Sequence, residues 1–283
     1  MERQKRVLAI HDISCVGKCS LTVALPILSA AGLETSIIPT AVLSTHTGGF
    51  TGYTYRDLTE DIMAIAKHWQ SLDLRVDAFY TGFLGSFEQI ELMKEIFAMF
   101  KTEDNLVFVD PVMADNGQMY ASFAPEFAQG MASLCGQADI IIPNITEACF
   151  MVGEKYLEPP YTQGYIEGLL ARLAELGPQR VVLTGVDFDG ENLGAAAYDK
   201  TTNKVDYAFA PRIDGYYHGT GDVFGSALLG ALLNGKALKD SVRVAVDYTV
   251  DSIKRTKEAG TDVKYGVDFE RGLPQFIAAL DLK

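Results

Sequence analysis

Cysteine, basic charge and long apolar runs are all in short supply in this 283-residue chain. The four cysteines, Cys15, Cys19, Cys135 and Cys149, are too few and too scattered to build a disulfide scaffold. Cys15 and Cys19 have the spacing of half a zinc site, but no second ligand pair follows them. A reduced, cytoplasmic protein is therefore expected. Lysine and arginine number 24 against 37 acidic residues, which leaves a net charge of −13. Such a surface repels nucleic acid and anionic membrane, so neither is expected as a partner. No stretch approaches the roughly 20 apolar residues of a membrane span. The charged residues 1–6 lead into only a short apolar run, which argues against a signal peptide. Repeats, low-complexity segments and long linkers are also missing, so residues 1–283 are expected to form a single domain.

What the chain does have is alternation, with 48% hydrophobic residues to supply a core. Apolar runs at 6–10, 34–39, 78–81, 106–109, 139–142 and 180–183 have the length and composition of buried parallel strands. Helical stretches are expected between them, at 18–31, 56–71, 87–100, 125–134 and 162–176. That order implies an α/β fold, a mostly parallel sheet covered by helices on both faces. After Thr184 the pattern changes. Runs at 194–199 and 204–210 flank the polar turn Lys200-Thr201-Thr202-Asn203, as in an antiparallel hairpin. Long helices at 221–234 and 241–258 follow.

Ligands of an open parallel sheet gather beyond the carboxyl ends of its strands. The polar residues placed there are His11, Asp12 and Ser14; Ser44-Thr45-His46-Thr47; Thr81-Gly82-Phe83; Asp110 with Asp115; Asn144 with Glu147; and Thr184-Gly185. The segment Gly219-Thr220-Gly221-Asp222 joins the same rim. Its two glycines let backbone N–H groups converge on an anion, and the helix expected behind them points its positive end at the same place. Asp222, in the first turn, is placed to take a proton from an attacking hydroxyl, an arrangement suited to phosphoryl transfer. An ordinary loop with a Thr or Asp cap is the structural alternative. Asp110 and Asp115 could flank a metal–phosphate complex, or Asp110-Pro111 could simply start a turn. Asn144 and Glu147 also have the spacing of a capping box. Gly17-Lys18-Cys19-Ser20 lacks the upstream glycine of a P-loop, so that class of nucleotide-binding protein is excluded.

Taken in order, these motifs resemble the ribokinase-like superfamily, and within it the pyridoxal (vitamin B6) kinases, over nearly the whole chain. The resemblance implies ATP- and Mg²⁺-dependent phosphorylation of the 5′-hydroxymethyl group of pyridoxal, pyridoxine or pyridoxamine, in a protein that forms a homodimer. It implies Asp222 as the base, with Gly219, Thr220 and Gly221 as the anion hole. Asp110, Asp115 and Glu147 would serve the Mg²⁺–phosphate complex. Asp110, Asn144, Thr184 and Tyr120, with Gly219 and Gly221, would meet the nucleotide. His11, Asp12, Ser14, His46, Thr47 and Phe83 would form the vitamin site. The first loop departs from the pattern, because His11-Asp12 stands where many pyridoxal kinases have Ser-His. An acid there is closer to the hydroxymethylpyrimidine kinases of thiamine synthesis. It could also favour the cationic arm of pyridoxamine. A catalytically silent vitamin- or nucleotide-binding protein is the third possibility, and the complete glycine frame around Asp222 speaks against it.

Overall fold

The computed structural model describes residues 3–282. Eleven strands run along this part of the chain: β1 (Arg6–Ser14), β2 (Glu34–Leu43), β3 (Tyr55–Asp57), β4 (Ala78–Thr81), β5 (Leu106–Val109), β6 (Ala114–Asp115), β7 (Gln118–Met119), β8 (Ile140–Ile141), β9 (Arg180–Val186), β10 (Asn192–Asp199) and β11 (Lys204–Pro211). Nine of them form one sheet in the order β11-β10-β9-β8-β5-β4-β1-β2-β3, and β6 with β7 makes a separate small ribbon. The central strands β9, β8, β5, β4, β1 and β2 are parallel to their neighbours. Antiparallel β10 and β11 extend one edge, and antiparallel β3 closes the other.

The helices are α1 (Leu21–Ala30), α2 (Thr59–Ser71), α3 (Phe87–Phe100), α4 (Phe127–Cys135), α5 (Ile145–Val152), α6 (Gln163–Glu175), α7 (Thr220–Leu233), α8 (Leu238–Ala259) and α9 (Leu273–Ala279). The parallel strands must bury both faces, and the helices divide accordingly. Helices α2 to α6 cover one face with Ile62, Ile90, Met93, Phe127, Ala148, Ile166 and Leu170. Helices α1, α7, α8 and α9 cover the other with Ile27, Val223, Leu228, Val242 and Phe276. The expected α/β fold with parallel strands and a late hairpin is therefore present. No helix among the described residues is long and apolar enough to cross a membrane.

Several expected boundaries shift for identifiable reasons. β1 continues to Ser14 instead of ending at Ile10, because β2 pairs alongside it as far as Ser14 opposite Leu43, with an irregularity between His11 and Ile13. His11, Asp12 and Ser14 are thus strand residues, not a loop after the strand. The first helix starts at Leu21, three residues later than expected. Ser20 before it has φ 54°, a left-handed backbone that a helix cannot include. Residues 55–57, expected as the start of a helix, form edge strand β3. The Asp57 carboxylate then accepts the Thr59 N–H at the head of α2. The short elements β6, β7 and α9 were not expected, being too brief to carry a periodic pattern.

Candidate active site

The segment Gly219–Asp222 leads into α7. Gly219, at φ 74°, is the N-cap of α7 and brings no side-chain cap. A Cβ on Gly219 would stand 2.0 Å from the Lys18 carbonyl oxygen, so glycine is required both by the backbone and by the packing. Val223 N–H bonds back to Gly219. The N–H groups of Thr220, Gly221 and Asp222 precede that first intrahelical bond, at the helix's positive end. Thr220 turns its hydroxyl away, donating to the Tyr217 carbonyl at 3.1 Å.

Asp222 sits half-buried in the first turn of α7. Burial pushes its carboxyl up to about 7; the Ser20 N–H opposes this and the charge of Asp12 adds to it. A carboxylate tuned near neutrality is a competent general base. Asp12 is itself buried, and its carboxylate accepts from the hydroxyls of Ser14, at 3.0 Å, and Ser20. It therefore neither caps α1 through the backbone nor points into solvent. The thiol of Cys19 is raised by burial and then by the charges of Asp222 and Asp12.

Asp110, just beyond the end of β5, is buried. Burial, then the neighbouring charges of Glu147 and Asp222, hold its carboxyl well above the usual range. Glu147 is displaced upward by burial as well. It completes a capping box at the head of α5: its Oε2 accepts the Asn144 N–H at 2.8 Å, and Asn144 Oδ1 accepts the Glu147 N–H at 2.9 Å. Its Oε1 also takes the Met113 N–H. Helix capping and a place beside Asp110 are thus combined in one side chain. The Asn144 amide is committed, since its nitrogen donates to the Ala114 carbonyl; the sequence expected it at the nucleotide.

Asp115 lies in β6, where it accepts from the Asn116 N–H at 2.9 Å and from the Tyr216 hydroxyl at 2.7 Å. Among the described residues, no three His, Cys, Asp or Glu side chains are close enough together to hold a metal. Asp110, raised by burial and the charge of Glu147, and Glu147, raised by burial and the charge of Asp115, offer hard oxygen donors that still suit a hydrated Mg²⁺ taking few protein ligands directly. Tyr120 anchors the same corner through its N–H to the Met113 carbonyl. Thr184 lies at the junction of β9 and the α5 cap, its N–H on the Pro143 carbonyl.

The other expected vitamin-site residues are placed unequally. Thr47 is exposed, and Phe83 is half-buried against Phe123 with ring centres 5.6 Å apart. His46 has both ring nitrogens in use: Nε2 lies 2.6 Å from the Lys264 carbonyl, and Nδ1 accepts the Gly48 N–H at 3.1 Å. Burial lowers its pKa, and its ring ties the Gly48 loop to the distant Lys264 backbone. His11 is fully buried beneath the site instead of on its wall.

Three residues, His218, Tyr216 and Tyr55, were not singled out from the sequence, and Cys19 was weighed there only as half of a zinc site. His218 directly precedes Gly219 and packs against His46 and Tyr216 at 5.0 and 4.9 Å. Tyr216 bridges to Asp115, and Cys19 feels the charges of Asp222 and Asp12. Tyr55 on β3 feels the charge of Asp12. The run Tyr216-Tyr217-His218 before Gly219 was a visible signal, whereas Tyr55 offered none.

Comparison with known proteins bears on the chain as a whole. The family model described as phosphomethylpyrimidine kinase matches residues 25–266. The chain belongs to that family. It is thus a phosphotransferase that acts on an alcohol group. A pyridoxal kinase of Dictyostelium discoideum is 27% identical over 245 residues, covering 80% of this chain and 78% of that one. A Bacteroides thetaiotaomicron protein assigned as a phosphomethylpyrimidine kinase superimposes with a TM-score of 0.91 at 34% identity in a crystal form with pyridoxal, covering 99% of this chain and 96% of that one. The pyridoxal kinase of Lactobacillus plantarum gives 0.89 at 30% identity, with 98% of each chain covered.

Proposed function

We propose that this enzyme transfers the γ-phosphoryl group of ATP to the 5′-hydroxymethyl oxygen of a B6 vitamer. The observation that carries the reading is Asp222, a carboxylate pushed up to about 7 at the mouth of an uncapped helix start. In the reaction the substrate hydroxyl attacks the γ-phosphorus, its O–P bond forms as the bond to the ADP oxygen breaks, and the hydroxyl proton passes to Asp222. The N–H groups of Thr220, Gly221 and Asp222 offset the negative charge on the moving phosphoryl oxygens without having to reorganise. Asp110 and Glu147, with Asp115 nearby, are the residues that would hold Mg²⁺, directly or through water. When bound, the ion would supply charge neutralisation. Asp12, Ser14, Cys19 and Phe83 form the wall on which a pyridine ring would rest.

Support for the vitamer comes from the pyridoxal kinases of D. discoideum and L. plantarum and from the pyridoxal-containing B. thetaiotaomicron crystal. A second reading has its own support: the family description names a pyrimidine substrate, which carries an equivalent hydroxymethyl arm. One assay separates them, ATP consumption with pyridoxal, pyridoxine, pyridoxamine and hydroxymethylpyrimidine in parallel. Turnover with the pyrimidine alone would overturn the B6 reading. We also read the enzyme as a homodimer, which sedimentation would test; what supports this is exposed edge strand β3.

A further inference from the structure

Beneath the reacting centre lies a set of polar side chains that the mechanism leaves unused. His11, Tyr80 and Ser226 are each 0% exposed. Neither ring nitrogen of His11 has a hydrogen-bond partner, nor does the hydroxyl of Tyr80 or of Ser226. Buried polar groups are nearly always satisfied, by protein or by ordered water, so three bare ones together require an account.

Their placement is specific. Tyr80 on β4 lies beside Ala9 of β1, and His11 follows two residues later on the same face of the sheet. The rings of His11 and Tyr80 meet edge-on with centres 4.4 Å apart. Helix α7 covers this face. A Cβ added at Gly225 would sit 2.5 Å from the Tyr80 hydroxyl oxygen, so that oxygen abuts the helix backbone. Ser226 is the next residue, and Asp222 lies four residues before it, on the same stripe of the helix. Burial raises the Tyr80 hydroxyl, the charges of Asp110 and Asp222 add to this, and the Ser226 hydroxyl opposes it, so the hydroxyls of Tyr80 and Ser226 are neighbours.

We propose that an internal water joins the hydroxyls of Tyr80 and Ser226 and a ring nitrogen of His11 to the Asp222 carboxylate, making Tyr80 a positioning residue for the base. The inference rests on Asp222 being that base. The water's own valences balance, and the remaining ring N–H of His11 turns toward the Tyr80 backbone carbonyl. The water accepts from the two hydroxyls and donates to the carboxylate and to the unprotonated nitrogen of His11. Four partners are what a buried water can hold. Burial lowers the His11 pKa to about 3, so the ring is neutral and keeps one accepting nitrogen. With one side of the carboxylate fixed in this way, its free lone pair is aimed at the incoming hydroxyl and not at the protein.

The test has a structural and a kinetic arm. A high-resolution crystal structure of the ligand-free enzyme should show ordered water within hydrogen-bond distance of Tyr80 Oη, Ser226 Oγ and a His11 nitrogen; a dry cluster overturns the proposal. Tyr80→Phe should lower kcat about tenfold while leaving both KM values within about twofold, and Ser226→Ala should act in the same direction. In an Asp222→Asn background, Tyr80→Phe should cause no further loss. A full additional loss there would show that Tyr80 does not act through Asp222. If Tyr80→Phe fails to fold, Ser226→Ala and the water decide the matter. Water present in a protein that phosphorylates none of the panel alcohols defeats the functional reading and leaves the hydration site standing. A dry cluster in an active kinase does the reverse.

Discussion

Replacing Asp222 with Asn should remove activity and stabilise the protein, and the two effects have one cause. Burial raises the carboxyl from its ordinary 3.8 to about 7. Between roughly pH 4 and pH 7 the folded protein therefore holds a proton that the unfolded chain has released. Stability contributed by this group is complete below the unfolded pKa, declines as pH rises through the folded pKa, and is constant above it. At about 1.4 kcal/mol per pH unit the full displacement corresponds to about 4 kcal/mol. Partial exposure and solvent screening reduce that to about 1–2 kcal/mol at pH 8. Asn keeps the shape and discards the charge, so the variant should melt about 2–3 °C higher at pH 8, with the difference vanishing near pH 4. Turnover should meanwhile fall about a hundredfold to ten-thousandfold. Thermal unfolding by circular dichroism at both pH values, with steady-state kinetics beside it, measures the two effects. A variant that loses turnover but melts no higher at pH 8 would refute the claim that the charge is held against a desolvation cost. One that melts higher but turns over normally would refute the assignment of the base.

Three further outcomes are expected. Asp12→Asn should lower kcat/KM for pyridoxamine about tenfold relative to pyridoxal, because the buried Asp12 carboxylate is available to pair with the aminomethyl cation; an equal loss for both vitamers would mean that Asp12 serves only to hold Ser14 and Ser20. Glu147→Gln should raise the Mg²⁺ concentration needed for half-maximal activity while leaving the melting temperature little changed, because a Gln at this position can still complete the capping box; unchanged Mg²⁺ dependence would limit Glu147 to capping. Tyr216→Phe should lower the Mg²⁺ requirement about two- to tenfold by releasing Asp115 from the Tyr216 hydroxyl. A higher requirement would show instead that the bond holds Asp115 in its working orientation.

The parts of this fold that are legible in the sequence are those whose cause is local. The buried runs of β4 and β5 are fixed by hydrophobicity and length. The cradle is fixed by Gly219, whose left-handed backbone and missing Cβ both follow from one residue type. The Asn144–Glu147 capping box is likewise a three-residue matter. What the sequence hides depends on distant partners. β1 is hard to follow past Ile10 because polar residues end its apolar run, and they are tolerated only because Ser20 meets Asp12 from outside the strand. His46 looks like a ligand contact until Lys264, 218 residues away, occupies its Nε2. Asp115 has the spacing of a metal ligand from Asp110, yet its partner in the fold is Tyr216, 101 residues on. No periodicity or motif encodes such pairings.

The acid excess of the site connects stability to function. Asp12, Asp110, Glu147 and Asp222 all have carboxyl groups raised mainly by burial; the charge of Asp12 adds to this at Asp222, and those of Glu147 and Asp222 add to it at Asp110. For folding alone this is unfavourable, since like charges in a partly dry cavity resist ionisation together. The arrangement makes sense as one part of a larger neutral assembly. ATP brings more negative charge, which the helix N–H groups can bear only in part; Asp110 and Glu147 are the residues that would hold a cation, and that ion would supply the missing positive charge. Asp222 and Glu147 both act on Asp110, so neutralising Asp110 and Glu147 would ease ionisation of Asp222, and the base we propose would be readier with the nucleotide in place than without it.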